Sequence, residues 1–178
     1  FQAFLSKYYP EYIETPASAI SDQQFQFQIK TREFDKYWGI FNSDIRGMDY
    51  ADISGSLDMN GNSFQLQGNI PQLSYRKGNF TDIKINSSGD RDSLHSIISV
   101  GDIALSDSLH FPETRLEASA SNDISLIHLT TSASEAINNA ELNARVHTMK
   151  DSVHIQFAPS SFIIKDKKWT LENAGELA

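Results

Sequence analysis

The chain of 178 residues has no cysteine, which excludes a disulfide scaffold, a Cys-ligated zinc or iron–sulfur site and thiol catalysis. Proline and glycine are scarce, at five and nine residues, too few for a collagen-like repeat or a Pro-rich stalk. No run approaches the roughly 18 apolar residues that a membrane-spanning helix needs, so no helix of this chain is expected to cross a bilayer. Basic clusters are missing as well, and 15 Lys and Arg against 23 Asp and Glu leave a net charge of −8. Nucleic acid is therefore not an expected partner, because its binding rests on neutralising phosphates. The sequence also lacks a glycine-rich phosphate loop, a Gly-x-Ser-x-Gly elbow and a His-Glu-x-x-His helix.

What is present is ordinary in amount and regular in arrangement. At 39% apolar and 11% aromatic the chain is too hydrophobic for generic disorder. Its length matches one domain of about 150 residues or slightly more. It opens at Phe1 without an initiator methionine or a signal-like leader and closes at Ala178. It therefore reads as a segment of something longer, with any targeting signal elsewhere.

Residues 1–49 read as a lead-in. Phe1, Phe4, Leu5, Tyr8, Tyr9, Tyr12 and Ile13 recur at helical spacing around Pro10, which predicts a short helix or a turn-rich stretch. Phe25, Phe27 and Ile29 alternate with Gln24, Gln26, Gln28 and Lys30, the period of a strand. Phe34, Tyr37, Trp38 and Phe41 then form one apolar stripe, predicting a short helix over residues 33–42 that caps the sheet or, less well supported by its flanks, lies on a membrane surface.

From residue 50 to 178 the period is almost continuously two. Ile53, Leu57 and Met59, then Asn60-Gly61, then Phe64, Leu66 and Ile70 predict two strands joined by a tight turn. Further strands are expected at 73–75, 82–85, 94–100, 103–109, 115–120, 124–130, 142–148, 153–157 and 162–164, with Trp169 and Leu171 in one more. Turns are expected at Lys77-Gly78-Asn79, Ser88-Gly89-Asp90, Gly101-Asp102, Phe111-Pro112, Ser121-Asn122-Asp123, Asn138-Asn139 and Lys150-Asp151. A small cassette recurs before three strands: Asp92-Ser93-Leu94, Asp107-Ser108-Leu109 and Asp151-Ser152-Val153, as turn chemistry explains.

Spacing of this kind predicts an all-β, antiparallel fold rather than βαβ units. Each strand has one apolar face, and the helical material is too short to blanket them. The apolar side must be covered by a second sheet, by closure into a barrel, or by curling into a trough. The alternation nominates the inward residues: Ile53, Leu57, Met59, Phe64, Leu66, Ile70, Leu94, Ile98, Val100, Ile103, Leu105, Leu116, Ala118, Leu142, Val146, Val153, Ile155, Phe157, Phe162 and Ile164. In a sandwich they are core; in a trough they line a groove.

Residues with chemical potential are scattered. His95, His110, His128, His147 and His154 show no metal-ligand spacing. Asp58, Asn60 and Asn62 resemble part of a calcium loop, but Gly61 comes too early and no Glu closes it. Asn79-Phe80-Thr81 and Asn86-Ser87-Ser88 match the glycosylation pattern, which matters only in a eukaryotic secretory source. No catalytic residue, metal or cofactor is expected.

Two stretches carry a family resemblance. Ile53-Ser54-Gly55-Ser56-Leu57, the Asn60-Gly61 turn, Leu66-Gln67-Gly68-Asn69-Ile70-Pro71 and Phe80-Thr81-Asp82-Ile83-Lys84-Ile85 resemble repeat units of the TamB branch of the AsmA-like, bridge-like lipid-transfer superfamily. Val153 to Ile164, containing Ala158-Pro159-Ser160-Ser161-Phe162, followed by Lys168-Trp169-Thr170-Leu171, is similar to a Pro-Ser-x-Phe…Trp segment of versions from Bacteroidetes-type bacteria. Most of residues 50–172 shares this texture; residues 1–49 share less of it. The resemblance implies an internal fragment of a long periplasmic, cell-envelope protein anchored in the inner membrane. It further implies a taco-like half-pipe of sheet whose hydrophobic groove carries phospholipid or another acyl-chain ligand, in support of outer-membrane biogenesis. Flanking segments of the same chain and, through the parent protein, a BamA-like outer-membrane barrel are the implied partners. The competing expectation is a β-sandwich binding or adhesion module of the cell surface, using its Asn/Asp/Tyr-rich loops.

Overall fold

Alternation of apolar side chains with Ser, Asn, Gln and Asp offers the backbone one efficient solution, the extended pleat, which sends the two classes to opposite faces. The computed structural model describes residues 2–14, 23–38, 44–107, 109–132, 140–164, 167–171 and 176–177. Its strands are β1 (Gln24–Lys30), β2 (Ile45–Arg46), β3 (Asp52–Asp58), β4 (Ser63–Tyr75), β5 (Gly78–Gly89) and β6 (Leu94–Ser106). β7 (Leu109–Ser121), β8 (Ile124–Thr131), β9 (Ala140–Thr148), β10 (Val153–Ile164), β11 (Lys167–Leu171) and β12 (Glu176–Leu177) follow. All belong to one antiparallel sheet in the order β1-β3-β4-β5-β6-β7-β8-β9-β10-β11, with β2 on β4 and β12 on β10. Among the described residues, helix is confined to α1 (Gln2–Leu5) and α2 (Phe34–Trp38). Of the three ways to cover an apolar face, the chain uses the open, curled sheet: it neither closes into a barrel nor splits into two sheets.

Several expected turns are not turns. Gly101-Asp102 and Phe111-Pro112 lie inside β6 and β7, strands of 13 residues each, and the separate strands expected at 73–75 and 82–85 belong to β4 and β5. What the sequence marks at these places is a crease. Pro71, Asp82, Gly101 and Glu113 stand opposite one another across β4 to β7. Proline has no N–H to give the ladder, and Asp82 and Glu113 adopt φ values of 51° and 48°. At each, the inside–outside alternation slips by one place. Ile70 is followed inward by Leu73, Ile83 is preceded by Phe80, Val100 is followed by Ile103, and Thr114 is preceded by Phe111.

The slip keeps the apolar side chains on the same face of both limbs. Ala51, Ile70, Ile83 and Val100 are buried along the crease, and they pack against Ile53, Ile85 and Ile98 on one limb and Leu73, Phe80 and Ile103 on the other. Contact from both limbs means that the sheet folds toward its apolar side, giving a half-pipe whose axis runs across the strands.

Other turns follow their expected chemistry more closely. Asn122 and Asp123 form a two-residue hairpin turn with φ 49° and 62°, as the twist of adjoining strands favours. Asp90 Oδ1 accepts from the N–H groups of Asp92 and Ser93, both at 2.8 Å, so the first Asp-Ser cassette sits in an Asx-type turn. The Asn60-Gly61 turn differs. Its loop spans residues 59–62, the left-handed residue is Asn62 (φ 48°), and Gly61 donates to Asp58 Oδ1 at 2.8 Å. A Cβ on Gly61 would lie 2.8 Å from Asp58 Oδ2, so a larger residue there would push the Asp58 carboxylate aside. The Asn138-Asn139 turn and residues 39–42 of the expected helix lie outside the described residues. α2 contacts β2 and has no buried side chain, so what is described of it leans on the side of the sheet instead of covering the apolar face.

The crease yields a test. A side chain at φ near 50° costs about 1–2 kcal/mol over glycine, most for β-branched residues. Asp82→Gly is expected to hold or raise the urea midpoint, and Asp82→Val to lower stability by at least about 1 kcal/mol. Equal losses in the two variants would show that the crease does not depend on this conformation.

Candidate functional site

Direct cross-strand pairing lines up the inward side chains in rows along the trough. Ile29, Ile53, Gly68, Ile85, Ile98, Leu116, Leu129 and Leu142 face one another from β1 to β9. Beside them run Phe27, Gly55, Leu66, Ser87, Ser96, Ala118, Ile127, Ala144 and Phe157. A third row, near the hairpin rim, holds Phe25, Leu57, Phe64, Gly89, Leu94, Ala120, Ser125, Val146 and Ile155. The middle row is small at Gly55, Ser87, Ser96, Ala118 and Ala144, which leaves a shallow furrow between bulkier neighbours. Ser87 and Ser96 hydrogen-bond to each other at 2.6 Å, so the polar pair in this apolar strip is satisfied from within. Over Gly55 lies the Phe27 ring, so close that a Cβ there would meet it at 2.5 Å.

The residues nominated from alternation share this face. Ile53, Leu57, Phe64, Leu66, Ile70, Leu94, Ile98, Val100, Ile103, Leu116, Ala118, Leu142, Val146, Val153, Ile155, Phe157 and Phe162 point to it by their pairing, and Leu105, at the register shift of β6, lies beside Phe80 over Gly78. Met59 packs against it from the β3–β4 loop. Ile164 ends β10, but its side chain lies outside the described residues. The nominated set left out Phe25, Phe27 and Ile29, whose alternation on β1 was read but not assigned to this face, and also Ile83 and Ile85 on β5, Ile127 and Leu129 on β8, and Leu73, Phe80 and Phe111 around the crease. Each stands directly opposite a nominated residue or another inward side chain, so the pairing register was the signal that would have found them.

Away from the hairpin rim, the floor is the closed part of the trough. Ile70, Ile83 and Val100 are buried, whereas Ile53, Leu66, Ile85, Ile98, Leu116, Leu129 and Leu142 are half-buried, and Leu105 and Val153 are 46% and 44% exposed. Large exposed apolar side chains gather at the two ends, Phe25 and Ile29 on β1, and Phe162, Trp169 and Leu171 on β10 and β11. At the β1 end Phe25, Phe27, Leu57 and Phe64 line a hollow of about 400 Å³.

The third row is not open. The N-terminal segment lies over it as a strap, inserting Phe4 and Tyr8, both 0% exposed, against Leu57, Met59, Phe64, Leu94 and Ala120. Phe4 meets Tyr8 edge-on at 5.3 Å and Phe64 at 5.7 Å between ring centroids. Gly89 makes room for both: a Cβ there would lie 2.7 Å from the Tyr8 hydroxyl. Polar anchors hold the strap along the rim. Tyr8 Oη donates to the Asp90 carbonyl and Lys7 Nζ to Asn62 Oδ1. Glu11 N donates to Asp123 Oδ1 at 3.0 Å, Asp123 N donates to the Tyr8 carbonyl at 2.7 Å, and Tyr9 and Ser125 share a hydroxyl contact at 2.8 Å. Leu57, Met59, Phe64 and Leu94 are therefore covered by the chain's own N-terminal residues.

The opposite face is polar. It has Gln24, Gln26, Gln28, Asp52, Ser54, Ser56, Gln65, Gln67 and Asn69 at one end, and His95, Glu117, His128, Asn143 and Arg145 at the other. The latter group, with Ile97 and the 54% exposed Leu126, lines a shallow hollow of about 620 Å³. His128 Nδ1 lies 2.6 Å from Asn143 Oδ1. His110 Nδ1 lies 2.9 Å from Asp102 Oδ2, and that hydrogen bond, then the charges of Asp102 and Asp107, raise its pKa. Among the described residues no group of three or more His, Cys, Asp or Glu could hold a metal ion, and no helix is long and apolar enough to cross a membrane. No protein-family model matches the chain, and no curated protein or solved structure matches it.

The strap makes an alkaline signature. Burial first, then the Asp90 and Asp92 carboxylates, push the Tyr8 hydroxyl from 10.0 up to about 12. A phenol whose folded pKa is raised contributes stability that is complete below pH 10.0 and is lost as pH rises toward about 12. Denaturant midpoints measured across that window are expected to fall, and Tyr8→Phe is expected to flatten the fall at a cost from the lost hydrogen bond. An unchanged slope in Tyr8→Phe would show that the hydroxyl is not held as described.

Proposed function

We propose that the trough binds the acyl chains of phospholipid and lets them move along its axis, as one segment of a longer TamB-like protein of the periplasm that supports outer-membrane biogenesis. One observation carries this reading: on the apolar face of a single open sheet two rows, one running from Ile29 to Leu142 and one from Phe27 to Phe157, continue unbroken beside the strapped rim, and among the described residues no second sheet lies over them. Contiguous apolar surface of this extent is costly in water and marks a binding surface. Each methylene removed from water on it contributes about 0.8 kcal/mol. Because burial of this kind has no direction, neighbouring positions along a row are nearly equal in energy, and a chain slides without breaking a specific bond. Headgroups stay at the open mouth in water, and the Gln-, Asn- and Ser-rich outer face keeps the segment soluble. Neither an enzyme activity nor a cofactor enters this mechanism. Contact with an inner-membrane anchor or a BamA-like barrel is assigned to other parts of the parent chain.

A second reading, a cell-surface binding or adhesion module, draws on the outer-face hollow with Glu117, His128, Asn143 and Arg145. The two readings predict opposite variant patterns. Purified chain is expected to release phospholipid on solvent extraction, to retain it in native mass spectrometry, and to take up a fluorescent fatty acid. Leu129→Asp combined with Leu142→Asp is expected to weaken uptake more than ~10-fold, equivalent to about 1.4 kcal/mol, in a protein with unchanged circular dichroism. Leu126→Asp, on the outer face, is expected to leave uptake intact. A folded protein that binds no amphiphile, or that loses binding equally through Leu126→Asp, would sink the proposal.

A further inference from the structure

We infer that β1 forms a twofold interface between two copies of this chain, edge to edge, so that their sheets join into one. Among the described residues β1 pairs with β3 on one side and with no strand on the other. In an antiparallel ladder successive residues turn their main-chain N–H and C=O groups to opposite sides. Met59 N donates to the Gln23 carbonyl and Thr31 N to the Ala51 carbonyl, so the odd positions of β1 face β3. Gln24, Gln26, Gln28 and Lys30 then present their main-chain groups to the open edge.

Proteins usually guard such an edge with proline, a bulge or charge. The opposite edge strand, β11, has Lys167 and Lys168. β1 has no proline and pairs with β3 without a register shift; its one lysine, Lys30, already lies 3.3 Å from Asp52. Its inward side chains Phe25 and Ile29 are 59% and 52% exposed.

The sequence Gln-Phe-Gln-Phe-Gln-Ile-Lys is complementary to itself. A second copy turned about an axis through Phe27 sets Gln24 opposite Lys30, Phe25 opposite Ile29, Gln26 opposite Gln28, and Phe27 opposite its equivalent. The outward-facing positions meet as hydrogen-bonded pairs. The aromatic and β-branched residues meet as the closer, non-hydrogen-bonded pairs, a combination that stabilises sheets. Charges also alternate. Lys30, held by Asp52 of its own copy, comes beside the other copy's Gln24, which donates to Asp58 at 3.2 Å, so no like charges oppose. All three inward rows continue across the join. The pairing does not depend on what the trough holds.

Sedimentation velocity over a concentration series is expected to show a reversible dimer. Gln26→Pro with Gln28→Pro removes outward N–H donors without touching the bonds to β3, and is expected to leave only monomer with the same far-ultraviolet circular dichroism. Because the chain has no cysteine, Phe27→Cys gives an independent readout. Equivalent residues on the axis stand about 4.5 Å apart between Cα atoms, within disulfide range, so mild oxidation is expected to link the copies covalently, whereas Thr170→Cys on β11 stays unlinked. A monomer at every concentration, a dimer that survives the proline variant, or cross-linking through Thr170→Cys in place of Phe27→Cys would overturn the inference.

Discussion

An apolar sheet face must be kept from water, and the described residues of this chain include neither a second sheet nor a long helix with which to do it. The sheet's own curvature is what remains, and the crease supplies it. Bending β4 to β7 along Pro71, Asp82, Gly101 and Glu113 brings two limbs over one buried row, Ile70, Ile83 and Val100. Left-handed backbone at Asp82 and Glu113 costs about 1–2 kcal/mol each. Burying three branched side chains contributes about 1.5–3 kcal/mol each, so the fold gains more at the floor than it loses at the bend. The crease alone would not suffice if alternation ran through it unbroken, since one limb would then show its apolar side chains to solvent. The single-residue slip on every strand is what makes bending and burial compatible.

Covering a trough from its floor leaves the rim exposed, and there the strap acts. Phe4 and Tyr8 are the only large side chains among the described residues that are fully buried, although they come from a segment with one short helical turn. The segment's own backbone bonds are local, between residues three or four apart, so its position on the sheet depends on those two rings and on the turn residues Asp90 and Asp123 that pair with its polar groups. Hairpin turns thus do a second job as anchor points. The outcome is graded coverage: closed at the floor, strapped at one rim, and half-open along the rows between.

Strand composition, antiparallel order and the identity of the inward face were readable from period-two alternation, because the inward residues are mostly apolar and the outward ones mostly Gln, Asn, Ser or Asp. The choice of a trough over a sandwich was not readable, since the same alternation serves both. Gly101-Asp102 and Phe111-Pro112 look like turns because glycine, aspartate and proline break a ladder whether the chain reverses or only bends. The missing distinction was pairing: only when Pro71, Asp82, Gly101 and Glu113 are seen opposite one another does a set of four local irregularities become one line. The strap was invisible for a different reason. The helical spacing of Phe4, Tyr8 and Tyr9 around Pro10 foretold the short helix and the turns after it, but not what they bury, which lies about fifty residues or more away in sequence. The omitted inward residues on β5 and β8 show the same limit, because their membership of the rows is a property of register and not of their own segments.

On the proposed reading, the rows also say where selectivity can and cannot arise. From Ile53 to Leu142 the central row offers only aliphatic carbon and one glycine, and the neighbouring Ser87 and Ser96 spend their hydroxyls on each other. Nothing along that stretch can recognise a headgroup or hold one acyl chain in preference to another of similar length. Recognition is therefore left to the ends. At the β1 end the surface changes character, and Phe34, Tyr37, Trp38 and Tyr50 stand with Lys30 and Arg32 around a hollow of about 850 Å³. Glu33 shares this lining and Lys30 is paired with Asp52, and aromatic rings beside side chains of both charges suit the boundary between apolar chain and polar head, where an amphiphile's two parts separate. A featureless middle with a differentiated end is what a conduit requires: binding strong enough to exclude water throughout, with chemical discrimination confined to where cargo enters or leaves.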